Sequence, residues 1–206
     1  MGCGSSEIKL VGDEKARIVF VVGGPGSGKG TICKKLVEEF KYIHLSTGDI
    51  LRKVVQEKKI LGWEELERTM KYGNLVPSDQ LLSFCKIIIA SSTEKKILFD
   101  GFPRNQENLD EWNKTMQNFA EIKACLYLEC KDNVMLERAL NRNEGRNDDV
   151  EQTIKRRIYS FRNETLPVIK YFNKIDLLIE VSTTSRTPDE IFPEITREFI
   201  ERKLYV

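Results

Sequence analysis

The sequence predicts an α/β fold: a doubly wound, five-stranded parallel sheet with helices on both faces. Three observations carry that expectation. Ile18–Val22 is a short, wholly apolar run, as expected of a parallel strand buried on both faces. A glycine-rich turn follows it, and then Lys29–Phe40, where Ile32, Leu36, Val37 and Phe40 form one helical stripe. Beyond these, short apolar runs alternate with helical patterns, the order that produces a parallel sheet covered on both sides.

The elements follow in order. Residues 1–16 are small, polar and charged and read as a flexible tail ahead of a domain over 17–206. Ile97–Phe99, Ala124–Leu128 and Leu177–Val181 are further strands, and His44, the sole histidine, reads as a strand residue rather than a catalytic group. Helices are expected over Asp49–Lys58, Trp63–Lys71, Pro77–Ala90, Gln106–Met116, Asn133–Asn141, Asp149–Phe172 and Asp189–Lys203. Pro193 lies inside the last, so a kink or a later start is expected there.

Composition narrows the function. Thirty-three Lys and Arg against 32 Asp and Glu leave a formal charge of +1, which gives no global field for nucleic acid. Any anion site must rest on local clustering. The five cysteines are Cys3, Cys33, Cys85, Cys125 and Cys130; no C-x-x-C pair and a single histidine speak against zinc. Cys33, Cys85 and Cys125 sit in apolar stretches and read as small core residues in a reduced, cytoplasmic protein. No apolar run approaches the roughly 18 residues of a membrane span.

The turn after the first strand spells Gly23-Gly-Pro-Gly-Ser-Gly-Lys-Gly-Thr31, and Gly23, Gly28 and Lys29 meet the G-x-x-x-x-G-K spacing of a phosphate loop. Glycines let successive N–H groups converge on an anion, the next helix adds its positive dipole end, and Lys29 adds a full charge. Gly26, Ser27, Gly28, Lys29, Gly30 and Thr31 are therefore candidate ATP-binding residues. Gly30 stands where most such loops carry a Mg²⁺-binding hydroxyl, with Thr31 one place later.

That variant, G-x-P-G-x-G-K-G-T, resembles nucleoside monophosphate kinases, and three later segments extend the likeness over roughly residues 17–203. His44-Leu-Ser-Thr-Gly-Asp-Ile-Leu-Arg52 is similar to L-S-x-G-D-x-L-R, Gly73-Asn-Leu-Val-Pro77 to G-x-x-V-P, and Asp100-Gly-Phe-Pro-Arg104 to D-G-[FY]-P-R. The run from Arg142 to 149 is similar to the short lid R…G-R-x-D-D. The resemblance implies transfer of the γ-phosphoryl group of Mg·ATP to a nucleoside monophosphate. It places the acceptor on Thr47, Arg52, Asn74, Leu75, Val76, Gly101, Phe102, Pro103, Arg104 and Asn108, within a mobile segment 46–76 and the loop after the Ile97–Phe99 strand. Asp100 would order Mg²⁺ through water. Arg138 would stack on the donor base. Arg142, Arg146 and Arg157 would close on the phosphates from a lid over 141–151, with Asp148 and Asp149 orienting them. Catalysis would rest on Lys29, Arg104, Arg142, Arg146 and Arg157, and the protein would be a monomer. On residues alone, Ser/Thr/Asp before the 49–58 helix also reads as a plain helix cap, by Thr47 or Asp49.

The acceptor base is signalled two ways. Asn108, fourth after Arg104, is similar to UMP/CMP kinases, where adenylate kinases generally carry Gln; Thr47 is the adenylate-kinase choice where the UMP/CMP branch usually has Ala. UMP or CMP is expected, with AMP the alternative. Two further signals remain. Gly2 and Cys3 lie in M-G-x-x-x-[ST], a myristoylation pattern with a cysteine placed for palmitoylation, so a reversible membrane tether is expected. Asn173-Lys-Ile-Asp176 spells the guanine-reading N-K-x-D of regulatory GTPases, but it follows a helix and precedes a strand, the reverse of that motif's setting, and reads as a turn.

Overall fold

A computed structural model describes residues 14–58, 62–142 and 150–206. Its strands are β1 (Ala16–Val22), β2 (Ile43–Ser46), β3 (Lys96–Asp100), β4 (Ala120–Glu129) and β5 (Leu178–Ser182), in one sheet of order β2-β3-β1-β4-β5 with every pairing parallel. The helices are α1 (Lys29–Phe40), α2 (Thr47–Glu57), α3 (Trp63–Lys71), α4 (Ser78–Ser91), α5 (Gln106–Thr115), α6 (Asp132–Leu140), α7 (Glu151–Ser160), α8 (Leu166–Lys174) and α9 (Pro188–Glu201).

The apolar run of β1 explains the two-sided architecture. Side chains alternate across a strand, so Ile18, Phe20 and Val22 join one core while Val19 and Val21 join another. The second core is built on α1 and α9 through Ile32, Leu36, Ile191, Ile195 and Phe199. The first is larger and centres on aromatic rings. Phe20 packs against Phe99, Phe102, Trp112 and Phe172 at centroid distances of 5.0–5.9 Å, three of the four pairs edge-to-face. This rigid block lies beneath the loops that follow β1 and β3.

Three local expectations need correction. The cap of α2 is Ser46, whose Oγ accepts from the Asp49 N–H at 3.3 Å; Thr47 is already helical, and its hydroxyl is used elsewhere. The helix expected over 149–172 is described from Glu151 and is interrupted by a π-turn at Phe161–Thr165, where the Leu166 N–H bonds the Phe161 carbonyl five residues back. Pro167 supplies the reason: it has no N–H for the preceding turn, and its ring would crowd the carbonyl four residues earlier, so the helix widens. In α9 the start is earlier than Pro193 implied. Pro188 occupies the first turn, and a reciprocal box between Thr187 and Glu190 fixes the end.

Candidate active site

All strands run parallel, so their carboxyl ends share one edge, and a cleft of about 810 Å³ opens there. Its floor is the turn from Gly23 to Thr31. Gly26 (φ 77°) and Gly28 (φ 92°) are left-handed, which a side-chain-bearing residue adopts only with strain. Gly26 is also sterically fixed, since a Cβ there would sit 2.3 Å from the Met135 carbonyl oxygen of α6. Ser27 is buried in the loop, and its Oγ has no hydrogen-bond partner among the described residues.

Lys29 folds back over this loop, its Nζ donating to the carbonyls of Gly23 (2.7 Å) and Gly24 (2.9 Å). Burial pushes its pKa from 10.5 down to about 8; Asp100 opposes the shift, and Arg157, Arg104 and Arg142 add to it. Asp100 ends β3, nearly buried, with Oδ2 3.1 Å from the Nε2 of His44 on the neighbouring strand β2.

The wall opposite the phosphate loop begins with α2. Thr47, fully buried, donates its hydroxyl to the Asp100 carbonyl at 3.0 Å, with the Gly101 carbonyl at 3.3 Å. Arg104 lies beside it: its Nε donates to the Gly101 carbonyl at 2.8 Å and its Nη2 reaches the Thr47 hydroxyl at 3.4 Å. Arg52 reaches the cleft one turn into α2 and pairs with Asp49. Arg157 enters from α7, its stem against Gly73. At the other end, Arg138 of α6 donates to the carbonyls of Thr183 (3.1 Å) and Arg186 (3.3 Å), so it holds the loop after β5.

The cleft is thus strongly cationic although the chain is nearly neutral. Among the described residues, Lys29, Lys34, Arg52, Arg104, Arg138, Arg142, Arg157 and Arg186 line it against only Asp49 and Asp100. Such a field in a concave site attracts polyanions. A glycine loop at a helix N-terminus, a buried lysine and several convergent arginines together fit two phosphate-bearing ligands.

The comparisons decide between phosphate chemistries. Residues 21–177 match the family model for adenylate kinase. The chain belongs to the adenylate kinase family. UMP-CMP kinase 2 of Caenorhabditis elegans is 39% identical over 88% of this chain and 95% of its own length. The human UMP-CMP kinase is 36% identical over 90% and 97%, and UMP-CMP kinase 1 of Oryza sativa subsp. japonica is 40% identical over 91% and 76%. As a member of this family the chain is a nucleoside monophosphate kinase. The GTPase alternative is not favoured: Asn173–Asp176 closes α8, with the Asp176 N–H on the Asn173 carbonyl, ahead of β5.

The structure brings most of the expected site residues to this cleft. Gly26 to Thr31, Thr47, Arg52, Leu75, Asp100, Gly101, Pro103, Arg104, Arg138, Arg142 and Arg157 all line it. Asn74, Val76, Phe102 and Asn108 do not. Phe102 is wholly buried in the aromatic block, and Val76 also joins that core. Asn108 is 3% exposed; its Oδ1 accepts from the Arg104 N–H at 2.9 Å and its Nδ2 donates to the Ser78 hydroxyl at 2.8 Å. Gly2, Cys3, Arg146, Asp148 and Asp149 lie outside the described residues. Arg138 lines the cleft with its guanidinium edge held by the Thr183 and Arg186 carbonyls.

Sequence reasoning missed two parts of the site. His44 faces Asp100 across the strand pair, a contact set by register that no spacing encodes. The loop of Ser185, Arg186, Thr187 and Pro188 lines the end of the cleft near Arg138. Its only signal was position, after the last strand of a parallel sheet.

Magnesium suits this donor set. Mg²⁺ keeps several waters and takes one or two carboxylates plus substrate phosphates, and Asp100 is the carboxylate that lines the cleft beside the phosphate loop. The Thr31 hydroxyl lines the same cleft and is a hard oxygen donor.

Proposed function

We propose that this kinase transfers the γ-phosphoryl group of Mg·ATP to UMP or CMP, with the residue roles that follow. One observation carries the reading: the lysine loop and the acceptor arginines Arg52 and Arg104 face the same cleft, in a chain whose relatives are named UMP-CMP kinases. Lys29 exchanges its two carbonyl contacts for the β and γ oxygens, and the Ser27 hydroxyl and loop N–H groups hold the phosphate chain. Arg104 and Arg52 fork onto the acceptor phosphate. Arg142 and Arg157, with Arg146 from the lid, spread positive charge over the group in flight. Asp100 would hold hydrated Mg²⁺, which would supply charge neutralisation on the transferring phosphates. The acceptor oxygen is already anionic, so no general base is required. Closure of the 46–76 and 141–151 segments on both substrates would exclude water as a rival acceptor.

Two structural facts bear on the acceptor base. The Thr47 hydroxyl is spent on the β3 end, which removes the adenylate-kinase-like residue from base reading. Asn108, the UMP/CMP-like residue, is buried behind the cleft, where it accepts from the Arg104 N–H and donates to the Ser78 hydroxyl, so it shapes the acceptor loop through Arg104. A coupled ADP-release assay with UMP, CMP, AMP and GMP in parallel tests this. Strong UMP and CMP turnover is expected, and preferential AMP turnover would overturn the acceptor assignment.

We further infer that the protein works in the cytoplasm as a monomer, tethered reversibly to membranes through myristate on Gly2 and palmitate on Cys3. No helix among the described residues is long and apolar enough to cross a membrane. A single myristoyl chain binds membranes only marginally, so Cys3 would supply the second anchor. The Gly2→Ala variant should leave the membrane fraction; equal partitioning with the parent would refute the tether.

A further inference from the structure

Cys33, His44 and Asp100 are far apart in the sequence and come from α1, β2 and β3, yet their ligand atoms all lie within 4.8 Å of one another. Cys33 is fully buried and free, His44 is partly exposed, and Asp100 is nearly buried. His44 and Asp100 already touch at 3.1 Å. The three heteroatoms are thiol sulfur, imidazole nitrogen and carboxylate oxygen. Phosphoryl transfer as described uses only the carboxylate.

We infer that these three side chains form a site for a borderline divalent transition ion, Zn²⁺ above all, whose occupation switches the kinase off. Thiolate and imidazole select Zn²⁺ over Mg²⁺, which prefers all-oxygen shells. Bonds of about 2.0–2.3 Å place these tetrahedral ligands roughly 3.3–3.5 Å apart, so the trio needs to contract by roughly 1.3 Å at most. His44 and Asp100 also line the cleft, which gives the ion a path in and room for a fourth ligand from solvent. Zn–S, Zn–N and Zn–O bonds replace bonds to water of the hydrated ion, the displaced waters and the Cys33 thiol proton pass to solvent, and nothing is oxidised or reduced. Inhibition follows from geometry: the Asp100 carboxylate, once a zinc ligand, no longer serves Mg·ATP or balances Lys29.

The spacing rules that argued against zinc look for ligands close in sequence, whereas here parallel register assembles them.

The binding measurements use the full chain, stripped of metal and free of nucleotide, so that they do not depend on which acceptor the kinase takes. Co²⁺ should give a near-ultraviolet thiolate-to-metal charge-transfer band, and Zn²⁺ should bind at one equivalent. Cys33→Ser should lose the band and weaken Zn²⁺ binding by roughly 10–100-fold or more, the range that even ligand-supporting groups produce. It should keep Mg·ATP-dependent turnover and lose zinc inhibition. Cys33→Ala is the second variant should the serine hydroxyl disturb the core. A parent without the Co²⁺ band, or a band and zinc affinity unchanged in the folded variant, would overturn the proposal.

Discussion

The Thr47 hydroxyl donates to the backbone carbonyl of Asp100 at 3.0 Å, tying the first turn of α2 to the strand end that carries the cleft's carboxylate. The same oxygen receives Arg104 at 3.4 Å. On the proposed function, Thr47 organises the acceptor side rather than reading the base. Thr47→Val should leave the Asp100 carbonyl without this donor and destabilise the fold by about 1–3 kcal/mol. It should lower kcat/KM while leaving the UMP-to-AMP preference unchanged. Denaturant titration and acceptor competition check both parts, and a preference that moved with this substitution would return base reading to Thr47.

Lys29 sets a pH signature. Its pKa of about 8 means that the free enzyme loses the ammonium as pH rises through that value. The kcat/KM for ATP should decline above about pH 8. The stability effect has the opposite sign to that of a salt bridge. Burial disfavours the charged form, so folding is penalised below about 8, and the penalty fades between 8 and the ordinary 10.5. Lys29→Met should abolish turnover yet raise the melting temperature at pH 7, with the gain shrinking toward pH 10. A variant that melts lower than the parent across this range would contradict the sign.

Asn108 links Arg104 to α4 through Ser78, whose hydroxyl donates onward to Glu107 at 3.0 Å. Asn108→Ala should leave the Arg104 N–H without its acceptor and cost about 1–3 kcal/mol. Steady-state kinetics should show the KM for UMP rising several-fold more than the KM for ATP. Equal changes in both would mean that Asn108 matters only to folding.

Phe20 contacts four rings beneath the cleft and is wholly buried. Phe20→Ala should cost about 3–5 kcal/mol, the range for emptying a packed aromatic site. Calorimetry measures this directly. A loss below about 1 kcal/mol would mean that the block collapses into the vacated space.

Sheet and phosphate loop were legible because both are local. A five-residue apolar run announces burial on two faces, and G-x-x-x-x-G-K announces an anion. Sheet order and register were not legible, and His44 shows the consequence: its role depends on lying beside β3. Asn108 was chosen for its residue type, but its partner Ser78 sits 30 positions earlier on another helix, beyond any motif. The helix expected over 149–172 was read straight through Pro167, whose missing N–H the chain accommodates with a π-turn instead. The loop after β5 carries no signature, since its backbone carbonyls, not its side chains, engage Arg138.

Gly26 touches α6 at the Met135 carbonyl, and one turn further along the same helix Arg138 clasps the loop after β5. The helix is therefore a spacer of fixed length between the glycine-rich loop and the far end of the cleft. A side chain at position 26 would wedge the two apart, so the fault would be felt in how the nucleotide spans its bed. Gly30, with open space around it, imposes no such ruler, and a bulkier residue there leaves the span intact.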